Sequence, residues 1–297
     1  MRAIIFTLLL FTVNLSFSQI NTPRVSPASE VEQMVGLTEI EIEYSRPSMR
    51  GREVFGNLVP FGKVWRTGAD NSTKISFDTD VIISGKTIQS GTYSVFSVPN
   101  KDDWKIIFYS DIDLWGVPKD WSEDKVVFSS TFPTKKLENK NPTETFTISF
   151  NNLTNNDVNM NISWENTSVD VKMNVPTRRI VENEIDQAIN GRINSSGTRI
   201  KNSAGPSASV YYSAAVYYRQ ENIKLKTALE WINKAIDMTE SPKFWQFRQQ
   251  SLIMAANNKF ADAVDAAKKS LNLAIEADNQ DYIKMNRESI SEWSKKL

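Results

Sequence analysis

From Glu39 to Asn71 the chain reads EIEIEYSRPSMRGREVFGNLVPFGKVWRTGADN, and two patterns meet in it. Ile40, Ile42 and Tyr44 alternate with Glu39, Glu41 and Glu43, which is the period of a strand with one buried and one wet face. At Pro47 the alternation stops, because the ring fixes one backbone angle and removes a donor. Gly51, Gly56, Gly62 and Gly68 then supply turns. Residues 44–71 therefore read as a long ordered loop on a β scaffold, and such loops are uncommon unless they serve a function or pack as a lid. The loop carries Arg46, Arg50, Arg52 and Arg66 together with Trp65, Asp70 and Asn71.

Working outward, short alternating segments recur on the C-terminal side. Lys74–Phe77, Val81–Ser84, Thr92–Val98, Trp104–Tyr109, Val126–Thr131, Glu144–Asn151, Val158–Trp164 and Ser168–Val175 read as strands. Ser84-Gly85-Lys86 and Ser90-Gly91 are turn signals, and Asn- and Asp-rich stretches separate the later strands. Strands at this spacing predict an all-β antiparallel sandwich, jelly-roll-like, over residues 25–175.

The ordered phrases YSRPSMRGREVFGNLVPFGKVWRTGADN, SGKTIQSGTYSVFSVP, WKIIF and LWG resemble the domain of unknown function 2911 family across about residues 25–175. The resemblance implies a fold unit and, since that family is found mostly in exported bacterial proteins, a compartment. It implies no activity. Asp70 departs from the small residue the resemblance leads one to expect there, and it adds a negative charge.

Composition removes whole classes of chemistry. The 297 residues contain no cysteine and no histidine. Thiolate nucleophiles, Ser-His-Asp triads and zinc sites of His or Cys are excluded. Proton transfer is left to Asp, Glu, Lys and Tyr, and a metal would need an all-oxygen shell. The Asp78-Thr79-Asp80, Asp102-Asp103 and Asp111-Ile112-Asp113 groups lack EF-hand spacing and read as turn formers, so no metal site and no cofactor are assigned. The formal net charge of +0 shows no basic surplus for nucleic acid.

Residues 1–18 read as a secretory signal peptide: Arg2, an apolar run from Ile4 to Val13, then Ser16 and Ser18 before a cut near Ser18-Gln19. No later run is long enough to span a bilayer. The expectation is an exported protein, periplasmic or extracellular in a bacterial envelope, without an integral membrane segment after cleavage.

After Pro176 the period becomes helical. Residues 176–209 read as a helix and linker, and residues 210–297 as an all-α helical-hairpin domain. Within it Thr227–Asp237 aligns with Asp262–Asn272, a repeat of about 35 residues. Ala228 with Ala263, and Ala235 with Ser270, place small residues where paired helices cross. This part resembles tetratricopeptide repeats, which implies a surface for a protein partner. Tyr211, Tyr212, Tyr217, Tyr218, Trp231, Trp245 and Trp293 read mainly as packing.

The candidate ligand-binding residues are Arg46, Arg52, Trp65, Arg66, Asp70, Asn71 and Trp115. Planar guanidinium forks suit carboxylate, phosphate or sulfate groups, and Trp65 and Trp115 offer flat apolar faces for a sugar or peptide. The competing reading is fixation: arginines tying the loop down by ion pairs with Glu53, Asp70 and strand glutamates, and Trp65 with Phe61 plugging one end of the sandwich. No catalytic residue is assigned. Three functions follow in order: a non-catalytic binding module for a small anionic or sugar-like ligand, an envelope scaffold that contacts proteins through its helices, and a hydrolase working without His or Cys.

Overall fold

The computed structural model describes residues 22–137, 142–194, 196–200 and 205–297. The signal peptide read at residues 1–18 lies outside them. The chain divides into two compact units, residues 1–177 and 178–297.

Alternation of apolar and polar residues builds the first unit as one antiparallel sheet. Its strands are β1 (Ala28–Val35), β2 (Thr38–Ser45), β3 (Thr73–Phe77), β4 (Val81–Ile83), β5 (Lys86–Ile88), β6 (Gly91–Pro99), β7 (Asp103–Tyr109), β8 (Val126–Lys136), β9 (Thr143–Asn151), β10 (Asp157–Glu165) and β11 (Thr167–Asn174). They run in the order β1-β2-β3-β6-β7-β8-β11-β10-β9, with β4 added to β11 and β5 to β4. The two ends of the path, β1 and β9, come back to each other, so the sheet is almost a barrel. The antiparallel β fold is as predicted, and the layers read as a sandwich are the two sides of one curled sheet. The sequence pattern passes over two strands. In β1 exposed and half-buried residues alternate, because an edge strand buries little and shows no apolar period. In β5 three residues are too few to show one.

The curl closes through the chain that follows β2. Ser48 bridges Thr145, the Met49 N–H donates to the Glu144 carbonyl at 2.8 Å, and the Phe146 N–H donates to the Pro47 carbonyl at 2.9 Å. Next along the seam, Arg46 donates through Nε to the Phe146 carbonyl (3.0 Å) and through Nη2 to Thr147 Oγ1 (2.8 Å). The Tyr44 hydroxyl then does the work of a missing strand. It donates to the Ile148 carbonyl at 3.2 Å and accepts the Ile148 N–H at 3.1 Å. Edge groups of β9 that would otherwise be buried without partners are satisfied in this way.

The interior is lined by Ile40, Ile42, Tyr44, Trp104, Phe146 and Trp164, all buried. The opposite face of β6 and β7 carries a smaller core of Phe96, Ile107 and Tyr109. Trp121 stacks on Tyr109 there, ring centroids 4.6 Å apart, and Lys125 holds Asp111 at 2.7 Å. Both contacts fix the base of the loop that presents Trp115.

On the outer face of β1 and β2, Glu30 lies opposite Glu43 and Glu32 opposite Glu41. Like charges paired across a ladder are destabilising. Partial burial, then Glu30, Glu43 and Glu32, raise the Glu41 pKa above its ordinary 4.5. The native state thus holds this proton more tightly than the unfolded chain, so stability falls as pH rises through the raised pKa. Glu41→Gln is expected to stabilise the β unit at pH 7 by about 0.5 kcal/mol, less in high salt, with the gain disappearing below pH 4. Thermal unfolding across pH checks this; a gain that persists in acid would refute it.

The second unit is helical: α1 (Thr177–Asn190), whose first residue belongs to the β unit, then α2 (Ala208–Gln220), α3 (Leu225–Asp237), α4 (Phe244–Ala256), α5 (Phe260–Glu276) and α6 (Gln280–Ser294). Consecutive helices from α2 to α6 pack on one another. Ala228, Ala235, Ala263 and Ser270 are all fully buried, as their repeat predicts. At the second crossing Ser270 Oγ donates to the Phe244 carbonyl (2.7 Å) and accepts from Asn286 Nδ2 (2.8 Å). Tyr211, Tyr218 and Trp293 are core residues, while Trp245 is substantially exposed. No helix among the described residues is long and apolar enough to cross a membrane.

Candidate functional site

The loop between β2 and β3 has no helix and no regular strand, in keeping with its prolines and glycines. Its order comes from a few anchors. Trp65 forms an isolated antiparallel bridge with Ser97. The Glu165 carboxylate accepts the Val54 and Phe55 N–H groups at 3.4 and 3.5 Å. Trp65 then fills the end of the barrel: its ring stacks on Trp164 (6.0 Å, 19°) and meets Phe146 at 5.2 Å, Trp104 at 6.0 Å and Phe55 at 6.2 Å. Its indole N–H is spent on the Gly68 carbonyl at 3.0 Å.

Behind this ring the backbone is strained. Thr67 and Asp70 lie in the left-handed region, with φ of 53° and 58°, a conformation costing about 1–3 kcal/mol for residues other than glycine. Thr67 is β-branched and fully buried, held by a hydrogen bond between its hydroxyl and that of Ser97 (2.9 Å) and by one from Thr73 Oγ1 to its carbonyl (2.5 Å). Gly68, φ 152°, leaves little room for a side chain, since a Cβ would sit 3.0 Å from the Ser45 carbonyl and 3.2 Å from Thr73 Oγ1. The surrounding packing thus imposes the shape of the segment 66–70.

Beside it opens a cavity of ≈430 Å³. Arg52, Trp65, Arg66, Asp70 and Trp115 all line it, so five of the seven residues singled out from sequence meet there. Arg52 donates through Nε to the Met49 carbonyl (2.8 Å) and through Nη2 to the Ser48 carbonyl (2.7 Å). Arg66 donates through Nη1 to the Asp70 carbonyl at 2.7 Å and lies against Gly116, where an added Cβ would be 3.3 Å from the guanidinium. Among the described residues no carboxylate oxygen comes within 4.0 Å of the guanidinium nitrogens of Arg46, Arg50, Arg52 or Arg66. The ion pairs that the fixation reading expects with Glu53, Asp70 and the strand glutamates are therefore not formed. These arginines are oriented by neutral carbonyls and, for Arg46, also by the Thr147 hydroxyl, which fix direction without a carboxylate contact. Trp115 stands 75% exposed at the mouth.

Arg46 and Asn71 go elsewhere. Arg46 belongs to the β2–β9 seam. Asn71 lines a neighbouring cleft of ≈320 Å³ with Glu30, Glu43, Arg24 and Lys74, and Asp70 borders both spaces. Val25, Leu58 and Trp164 are among the further residues that line the cavity without having been picked out from sequence. Trp164 continues the inward alternation of Met160 and Ile162, so its burial was legible; its approach to Trp65 depends on the curl of the sheet. The loop aspartates act as turn anchors: Asp78 Oδ1 accepts the Glu39 N–H at 2.8 Å, and Asp80 Oδ1 accepts the Ser90 N–H at 3.0 Å.

A family model described as "Protein of unknown function (DUF2911)" matches residues 26–173, which takes in the sheet from before β1 almost to the end of β11. No curated protein matches the chain, and no solved structure does.

Proposed function

Residues 26–173 belong to the DUF2911 family, whose description carries no activity, and we propose from the cavity itself that this β unit is a non-catalytic binding module for a small anionic or sugar-like ligand. The observation that carries the reading is the meeting of two guanidinium groups, neither with a carboxylate partner, and three tryptophan rings on one open cavity. Guanidinium forks without an internal counter-charge gain most from an incoming oxyanion. An exposed tryptophan at a mouth gains from any face laid on it. The N-terminal sequence supports an exported setting, periplasmic or extracellular, for such a module.

Arg66→Ala and Trp115→Ala separate binding from folding. Trp115 is mostly exposed, so its loss is expected to change stability by no more than about 0.5 kcal/mol. Both variants are expected to lose ligand-dependent stabilisation, which is about 2.7 kcal/mol at a ligand concentration 100 times its dissociation constant. Thermal unfolding with and without a panel of small carboxylates, phosphates and saccharides measures it. A wild-type protein stabilised by none of them, or variants that unfold without ligand, would refute the reading.

A further inference from the structure

We propose that the ligand of this cavity is an amphipathic oxyanion: a carboxylate or phosphate on an alkyl or aryl body, with the charged end at Arg52 and Arg66 and the body against Trp65, Trp164 and Trp115. The inference rests on the binding reading above and chooses between the two ligand classes it leaves open.

The walls favour the apolar body. Pro47, Leu58, Val59, Trp65, Trp164 and Trp115 give the cavity hydrocarbon and aromatic surface. Beyond the two arginines, the side chains along it that can hydrogen-bond a ligand are Ser26, Asp70 and Trp115. Trp65 has no N–H left to offer, because Gly68 takes it. A saccharide placed here would lay part of its hydroxyl rim against the tryptophan, leucine and valine surface, and each hydroxyl shut off from water there without a partner costs about 1–3 kcal/mol. An alkyl or aryl body meets no such penalty and removes the mouth residues from water. Val25 is 71% exposed, Leu58 41% and Trp115 75%, apolar surface that contributes about 25 cal/mol for each Å² covered. The neighbouring cleft, with Asn71, Glu30 and Glu43, is polar by contrast and lies on the far side of Asp70.

Asp70 supplies a test of sign. Its backbone carbonyl orients Arg66, while its carboxylate places a negative charge on the border of the cavity. Asn tolerates the left-handed backbone, so Asp70→Asn keeps the carbonyl and removes the charge. For an oxyanion, affinity rises by about threefold to tenfold, the scale of one unit charge at several ångströms in a partly wet site. For a cation, or for a sugar that uses the carboxylate as an acceptor, affinity falls.

The experiment titrates full-length protein with octanoate and octyl phosphate, following tryptophan fluorescence and thermal unfolding. Controls are octanol (body without charge), acetate (charge without body), and glucuronate and cellobiose as saccharides. The expected result is saturable binding of octanoate, octyl phosphate or both, with the stronger of the two identifying the head group. Acetate and octanol bind at least tenfold more weakly, Arg52→Ala and Arg66→Ala lose the binding, and Asp70→Asn strengthens it. Glucuronate or cellobiose binding that Trp115→Ala abolishes, with no octanoate or octyl phosphate binding, would overturn this inference and leave the binding module standing. Amphiphile binding indifferent to both arginines, or weakened by Asp70→Asn, also overturns it. If no probe binds, both readings fall.

Discussion

Trp65→Ala is expected to cost the β unit about 3–5 kcal/mol, the range for removing a large aromatic side chain from a packed interior. The ring is only half-buried, yet it meets four other aromatic rings and plugs the end of the barrel beside the strained Thr67–Asp70 backbone. Its loss removes those contacts, frees the Gly68 carbonyl, and weakens the bridge to Ser97 that holds the loop in register. Edge-to-face and offset aromatic pairs add about 0.5–1.5 kcal/mol beyond buried area. Hydrogen exchange of the β6 and β9 amides measures the change within this unit alone. Trp115→Ala, at the same cavity, leaves those amides protected as in the wild type. Equal protection in the two variants would show that Trp65 is a binding face and not a structural plug. The contrast sharpens a point that the sequence leaves open, because both tryptophans there look like flat faces for a ligand.

Tyr44→Phe is expected to cost about 1–3 kcal/mol, although it deletes a single oxygen. That oxygen answers both the N–H and the carbonyl of Ile148, and removing it leaves two buried edge groups without a partner. The ring and its contact with Phe146, centroids 5.8 Å apart, remain, so the change reads the hydrogen bonds and not the packing. The Ile148 amide should lose exchange protection first, followed by its neighbours in β9, while β6 and β7 hold. An Ile148 amide as protected as in the wild type would show that the seam closes without the hydroxyl.

Much of this architecture was visible as local pattern. The Ile40-Ile42-Tyr44 alternation gave β2 and its buried face, since a strand's period is set by its own backbone. Repeated small residues at Ala228 and Ala263 gave the helix crossings for the same reason: a helix face is read from spacing. β1 escaped notice because its register is imposed by β2 and not by an apolar period of its own. At the site, sequence marked the arginine–tryptophan loop correctly as one ordered segment, but it gave Arg46 and Arg66 the same standing. Only packing separates them: Arg46 turns to the carbonyl of Phe146, 100 positions away, and Arg66 to the carbonyl of Asp70, four positions away.

By itself, then, the sequence determined most of the strands and the helical half, where the chain must turn, and which chemistries are absent for want of histidine and cysteine, while β1 and β5 carried too little apolar period to be read. Those are properties of residues and their near neighbours. The tertiary structure decided that the sheet curls until β9 reaches the chain after β2, that Trp164 meets Trp65 at the closed end, and that Arg52 and Arg66 are aimed by backbone carbonyls rather than by carboxylates. Each of these joins residues far apart in the chain, or depends on which of several equivalent acceptors lies within about 3 Å of a donor. Curvature and loop path set that choice, and neither is written in any local period.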